Sequence, residues 1–236
     1  MSNIIQQKNF RVQERLVDSD KVVFVFTGML TKIWQYKPFI KRLNKAGYSV
    51  IIYDYPSRIV HDANINEWYQ LIESLMKDVQ NRIINLKEMN AKHFYAYGYS
   101  MGTIIAQKLT QITTEITHVI LNLPYGDLAK NIWTSPRTRR ARKSLKKQGI
   151  TMEQLRQKVT DLDPIVNAKG LRDKKVLLHQ SRRDRILYYP ITKETKLAFE
   201  KAKVDMFYDE NKFLGHLSGG AKNMLSVKKI RTFYDS

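Results

Sequence analysis

The stretch His93-Phe94-Tyr95-Ala96-Tyr97-Gly98-Tyr99-Ser100-Met101-Gly102-Thr103-Ile104-Ile105-Ala106 decides how this chain is read. His93–Tyr97 is a short aromatic run of strand character, and Met101–Thr110 has the apolar spacing of a helix. Only Gly98, Tyr99 and Ser100 stand between them, so the chain must pass from strand to helix in one sharp turn. Such a turn holds its serine strained at the strand's C-terminal end. It needs glycine on both flanks, because a Cβ at either site would meet the neighbouring strand or helix. The following helix aims unpaired N–H groups and its positive dipole end at the serine, which favours an oxyanion there. With 10 Gly and 12 Ser in 236 residues, chance supplies about 0.02 Gly-x-Ser-x-Gly matches, so the motif carries information.

The same alternation extends in both directions. Upstream, Lys21–Phe26 is an uninterrupted apolar run ending at Thr27-Gly28, as an interior parallel strand does. Ile33–Ala46 reads as a helix stopped by Gly47, and Tyr48–Tyr53 as a strand closed by Asp54-Tyr55-Pro56. Ile65, Trp68, Leu71, Ile72, Leu75, Met76, Val79 and Ile83 recur at three- and four-residue steps, one face of a long helix packed on a sheet. Downstream come His118–Leu123 and Lys175–His179 as strands, Ile191–Lys201 as helix, Val204–Tyr208 as strand, and a last helix from about Ser218 to Phe233. Phe10–Val17 adds an antiparallel edge strand or hairpin, and Gly215–Gly220 reads as loose turn material. This order predicts an α/β fold: a mostly parallel central sheet with helices on both faces, one domain over residues 1–236. Residues 124–168 hold no convincing strand and are expected to form an inserted helical cap, with Ile150–Val159 a short helix capped by Thr151.

Composition narrows the chemistry. The chain has no cysteine, which excludes disulfides, thiolate-ligated zinc, iron–sulfur clusters and a thiol nucleophile. No cluster of His and carboxylates suggests a metal, no Gly-rich phosphate loop is present, and no cofactor is expected. The start, MSNIIQQKNF, lacks the pattern of a secretory signal, and no apolar run suits a membrane span; a soluble, cytoplasmic protein is expected. Lys and Arg number 41 against 22 Asp and Glu, a net charge of +19, so the chain attracts polyanions. Part of that charge sits in the cap as Arg137, Arg139, Arg140, Arg142, Lys143, Lys146 and Lys147, with no acidic residue between Asp127 and Glu153. This run is either a solvated face or a docking site for an anionic lipid, a carrier protein or a phosphate-bearing acyl donor; no specific nucleic acid is expected.

The Gly98–Gly102 motif in its strand–turn–helix setting resembles the α/β-hydrolase fold family, of serine esterase and lipase type. The resemblance implies a triad in the order serine, acid, histidine. His216, in Phe213-Leu214-Gly215-His216, is similar to the family's histidine loop, whereas His61 precedes the serine and His93, His118 and His179 lie in or beside strands. For the acid, Asp184 in Gln180-Ser181-Arg182-Arg183-Asp184-Arg185-Ile186 fits the loop after the strand following the cap, although the family's usual glycine is absent. Asp127, one strand earlier, is the alternative. The resemblance further implies oxyanion donors at the backbone N–H groups of Met101 and of Met29, in Thr27-Gly28-Met29. The expected activity is cleavage of a carboxylic ester with a hydrophobic acyl or alcohol group. Trp34, Tyr36, Tyr125 and Trp133 either line the cleft or pack the cap onto the core, and Met29 and Met101 are expected to line the acyl pocket. A thioesterase acting on a coenzyme A- or carrier-bound acyl chain is the alternative. A non-catalytic polyanion-binding protein on the same fold is the reading of another class.

Overall fold

The computed structural model describes residues 9–29, 31–56 and 64–236, together with the backbone of 3–6. Eight strands form one sheet: β1 (Asn3–Gln6), β2 (Arg11–Arg15), β3 (Lys21–Phe26), β4 (Ser49–Asp54), β5 (His93–Tyr99), β6 (Ile116–Asn122), β7 (Lys175–Ser181) and β8 (Asp205–Asn211). Their order across the sheet is β1-β2-β4-β3-β5-β6-β7-β8. The strands β4-β3-β5-β6-β7-β8 run parallel, and β1 and β2 pair antiparallel at one side. The antiparallel strand read over Phe10–Val17 is therefore one arm of a hairpin, but β1, not β2, is the edge.

The long helices follow from pattern and caps. Helices α1 (Lys37–Lys45) and α2 (Ile65–Glu88) come first, and the Asn64 side chain accepts the Glu67 N–H to start α2. Helix α3 (Gly102–Ile112) follows β5. The six residues of β3 show why both faces are covered: Val22, Phe24 and Phe26 enter the core beneath α2 and α3, while Val23 and Val25 enter the one beneath α1.

Between β6 and β7 the chain forms α4 (Leu128–Thr134), α5 (Arg139–Lys147) and α6 (Met152–Lys158). Helices α4 and α5 are separated at Ser135-Pro136, where the proline removes a donor and Ser135 caps a 3-10 turn over Pro136–Thr138. Thr151 caps α6 as expected, its hydroxyl accepting the Gln154 N–H. Buried Asp163 ties the insert's two ends together, Oδ2 accepting from Leu128 N–H at 2.8 Å and Oδ1 from Ile165 N–H at 2.9 Å.

After α7 (Tyr189–Lys201) and β8 come α8 (His216–Leu225) and α9 (Val227–Tyr234), broken at Ser226 where a single helix was expected. Gly215–Gly220 is not loose turn. Gly215 caps α8, and Gly219 and Gly220 lie inside it because their Cβ atoms would collide with the Ser181 hydroxyl and the Tyr99 ring. Two glycines let α8 sit directly on the strand ends, which places His216 beside the Ser100 turn.

Candidate active site

The turn between β5 and α3 has the strain that its sequence implies. Ser100 has φ 52°, in the left-handed region that a non-glycine residue adopts at a cost of about 1–3 kcal/mol. A Cβ on Gly98 would lie 2.6 Å from the Gly102 carbonyl oxygen, and one on Gly102 would collide with the Phe26 carbonyl. The turn is fixed on both sides: Ser100 N–H donates to the Asn122 carbonyl at 2.9 Å, and the Ser100 carbonyl accepts from Thr103 N–H at 2.9 Å and the Thr103 hydroxyl at 2.6 Å.

Three loops at the C-terminal edge of the sheet converge here. Ser100 Oγ lies 3.0 Å from His216 Nε2, and His216 Nδ1 lies 2.6 Å from Asp184 Oδ2. All three residues are buried, at 6–7% exposure. The other oxygen of Asp184, Oδ1, accepts from the backbone N–H of Ile186 at 2.8 Å and Leu187 at 2.9 Å, so the carboxylate is held in one orientation. A carboxylate only accepts, so Nδ1 carries the imidazole proton and Nε2 is left to accept from the Ser100 hydroxyl.

Asp127 is not part of this cluster. Its Oδ1 caps α4 by accepting Lys130 N–H at 2.9 Å, and its Oδ2 pairs with Arg156 at 2.8 Å. Among the other histidines, exposed His93 faces Asp20 at 3.8 Å. His118 packs edge-on against Tyr95 and Phe233, and burial, with Lys175 adding to it, pushes its pKa down to about 4. His179 is buried with Nδ1 2.8 Å from Asp209, and burial lowers its pKa in spite of that carboxylate. His61 lies outside the described residues.

Gly28 is pressed against the serine: a Cβ there would lie 3.4 Å from Ser100 Cβ and 2.8 Å from the Tyr99 ring. Its N–H donates to the buried Tyr36 hydroxyl at 3.0 Å, and Met29 is the next residue along. Of the four aromatic residues expected around the cleft, Tyr36 thus braces this loop, Trp133 lies beneath Lys146, and Trp34 is exposed. Tyr125 lines a narrow apolar crevice, with about 30 Å³ of room for water, between α2 and the insert; Ile65, Trp68, Ala141, Leu145 and Leu155 form much of its wall. A second small apolar gap, bordered by Trp68, Leu71, Ile72, Met101, Ile104 and Ile105, lies between α2 and α3. Trp68 borders both gaps, one next to Met101 and the other against the insert.

Sequence reading passed over Asn122. It is fully buried, and its side-chain N–H groups donate to the Tyr97 hydroxyl at 2.6 Å and the Gly220 carbonyl at 3.1 Å. Its Oδ1 accepts from Asn223 at 2.8 Å. The available signal was a lone amide closing an apolar strand run, where a buried polar side chain needs partners. Among the described residues no group of three or more His, Asp or Glu could hold a metal ion.

A mostly parallel sheet covered on both faces, with a strained serine on the turn that leaves its central strand β5, defines an α/β-hydrolase-fold serine hydrolase. Residues 17–188 match the family described as serine aminopeptidase, S33, and the chain belongs to that family. The matched region contains Ser100 and Asp184 and ends before His216. No match was found among curated proteins.

Solved structures with the same fold include a Pyrococcus furiosus esterase, 16% identical, covering 100% of this chain and 92% of that one with a TM-score of 0.72. A thermostable carboxyl esterase from Bacillus coagulans, crystallised with glycerol, is 12% identical with 100% and 97% covered and a TM-score of 0.68. Acetyl xylan esterase 1 from a Thermoanaerobacterium species is 14% identical with 95% and 78% covered and a TM-score of 0.72.

Proposed function

We propose that this protein cleaves carboxylic esters through an acyl-enzyme on Ser100, with His216 as general base and Asp184 as its orienting acid. The hydrogen-bond chain Ser100–His216–Asp184, 3.0 and 2.6 Å in its two links, carries this reading. Ser100 Oγ attacks the ester carbonyl as its proton passes to His216 Nε2, and Asp184 stabilises the imidazolium. Collapse of the tetrahedral intermediate expels the alcohol, which takes the proton from His216. A water activated by the same imidazole then attacks the acyl-enzyme, releases the acid and returns the proton to Ser100.

The oxyanion would rest on the backbone N–H groups of Met101 and Met29. Met101 follows the nucleophile at the start of α3, and the Gly28 amide is already engaged by Tyr36. The apolar gaps that share Trp68 favour a hydrophobic acyl group, and residues 124–168 act as a cap over it. The exposed cations of α5 give that cap an electrostatic contact for an anionic lipid or an acyl-bearing carrier. An acyl thioester would use the same steps and is the second reading, favoured by the same basic cap.

The deciding experiment compares p-nitrophenyl esters of increasing chain length, acyl thioesters and aminoacyl p-nitroanilides, using wild type and Ser100→Ala. Ester turnover that vanishes in Ser100→Ala supports the proposal. Turnover of anilides alone, or ester turnover that survives the substitution, would overturn it.

A further inference from the structure

Four large apolar side chains in the connections that carry the site residues are left in water: Trp34 is 65% exposed, Tyr188 57%, Phe213 73% and Leu217 62%. They come from three connections at one edge of the sheet. Trp34 lies in the 3-10 turn after β3, Tyr188 at the end of the Asp184 loop, and Phe213 and Leu217 on either side of His216. Of the exposed large residues elsewhere, Ile84, Ile112 and Leu197 lie on helices, and Phe207 lies on β8 against the Phe233 ring.

Cations surround the same rim. Arg182 is paired with Glu210, whereas exposed Arg183, Arg185 and Lys212 form no ion pair among the described residues. The Arg183 guanidinium lies 5.9 Å from the centre of the Phe213 ring, so charge and apolar surface interleave within one loop pair. The basic insert continues this field, since the Ser135 hydroxyl hydrogen-bonds the Ile186 carbonyl of the Asp184 loop at 2.7 Å.

An occupant must satisfy both properties at one edge of the sheet. A second copy of the chain would cover the apolar rim but bring two basic faces together on molecules of net charge +19. A nucleic acid would neutralise the cations and leave Leu217 in water. A bilayer containing anionic lipid does both, with negative charge at the headgroups and apolar depth just below them. We propose that the rim formed by Trp34, Tyr188, Phe213 and Leu217, with Arg183, Arg185 and Lys212 around it, docks the protein on an anionic lipid surface. Ser100 then takes its ester from that surface. The substrate half of this statement rests on the ester-hydrolase reading; the docking half does not.

The test uses Ser100→Ala protein, so binding is measured without turnover, in a flotation assay against phosphatidylcholine vesicles with and without phosphatidylglycerol. Binding is expected only to vesicles containing phosphatidylglycerol. Phe213→Ser/Leu217→Ser should weaken it about tenfold or more, and Arg183→Gln/Arg185→Gln/Lys212→Gln about 100-fold, roughly fivefold per cation. Circular dichroism and thermal melting confirm that both variants, altered only at exposed positions, stay folded. Equal binding to neutral vesicles, or rim variants that bind as tightly as their parent, would overturn the docking. So would a concentration-dependent dimer that Phe213→Ser/Leu217→Ser abolishes, or tighter binding to a single-stranded oligonucleotide than to the anionic vesicles. Vesicle binding without ester turnover by the wild type would refute the substrate half alone, and turnover of soluble esters without vesicle binding would refute the docking half alone.

Discussion

Replacing Asn122 with leucine removes the bracket between the Ser100 turn and the helix that carries His216. The carbonyl of Asn122 holds the Ser100 amide at 2.9 Å, while its side chain holds Gly220 and Asn223 of α8 at 3.1 and 2.8 Å. Leucine keeps the volume and the backbone contact but leaves the Tyr97 hydroxyl, the Gly220 carbonyl and the Asn223 amide without this partner in a buried site. At about 1 kcal/mol per lost bond, and more where the orphaned group finds no other partner, the chain should lose about 3–5 kcal/mol. That is a large share of the stability of an ordinary domain.

The kinetic effect is separable from this loss. His216 is the first residue of α8, one turn before Gly220, so slack at Gly220 moves the imidazole relative to Ser100. A displacement near 1 Å costs about 100-fold in rate. Asn122 borders neither apolar gap, so KM should change by less than about threefold while kcat falls about 30- to 100-fold. Urea unfolding and steady-state kinetics on a p-nitrophenyl ester measure the two effects separately. A variant with the wild-type urea midpoint and kcat within about threefold of wild type would show that Asn122 does not brace α8 against the Ser100 turn.

Further expectations follow from the same geometry. Asp184→Asn should lower kcat by about 10⁴-fold, because an amide can hold the wrong imidazole tautomer. Asp127→Asn should leave kcat within about twofold, since asparagine still caps α4 and only the partly exposed pair with Arg156 is lost. Ala141→Phe, which fills the crevice against α2, should shift ester preference towards shorter acyl chains at a stability cost of about 1–3 kcal/mol, read from kcat/KM across a chain-length series. His118 titrates near 4 in the fold against 6.5 unfolded, so the unfolded chain takes up its proton first as pH falls. Its contribution is complete above pH 6.5 and is lost between 6.5 and about 4. His118→Phe should therefore narrow the gap between urea midpoints measured at pH 7 and about pH 4.5, with the depressed His179 leaving a residual slope in the same direction.

How much of this was legible depended on how local each signal is. The β3 and β5 strands and the Ser100 turn declare themselves within a dozen residues, through an apolar run and two glycines that leave no room for a Cβ. The acid was less legible, because Asp127 and Asp184 both follow strands. What separates them is that Asp127 is occupied with Lys130 N–H and with Arg156, 29 residues away. The role of Asn122 depends on partners 98 and 101 residues further along, and nothing in a periodicity records those. Gly219 and Gly220 look like turn residues because glycine disfavours helices. Here the helix tolerates them because the strand ends approach too closely for any side chain. Pro136, by contrast, is a local signal: a residue with no backbone donor that opens the 3-10 turn between α4 and α5.

Ester cleavage at this site requires Ser100 to be an activated nucleophile driven by His216. Covalent labelling with a fluorophosphonate probe tests it most directly, comparing wild type, Ser100→Ala, His216→Ala and Asp127→Asn, each checked for folding by circular dichroism. Wild type and Asp127→Asn should label, and Ser100→Ala and His216→Ala should not. A folded wild type that does not label even with anionic lipid present, or a Ser100→Ala variant that still does, would contradict it.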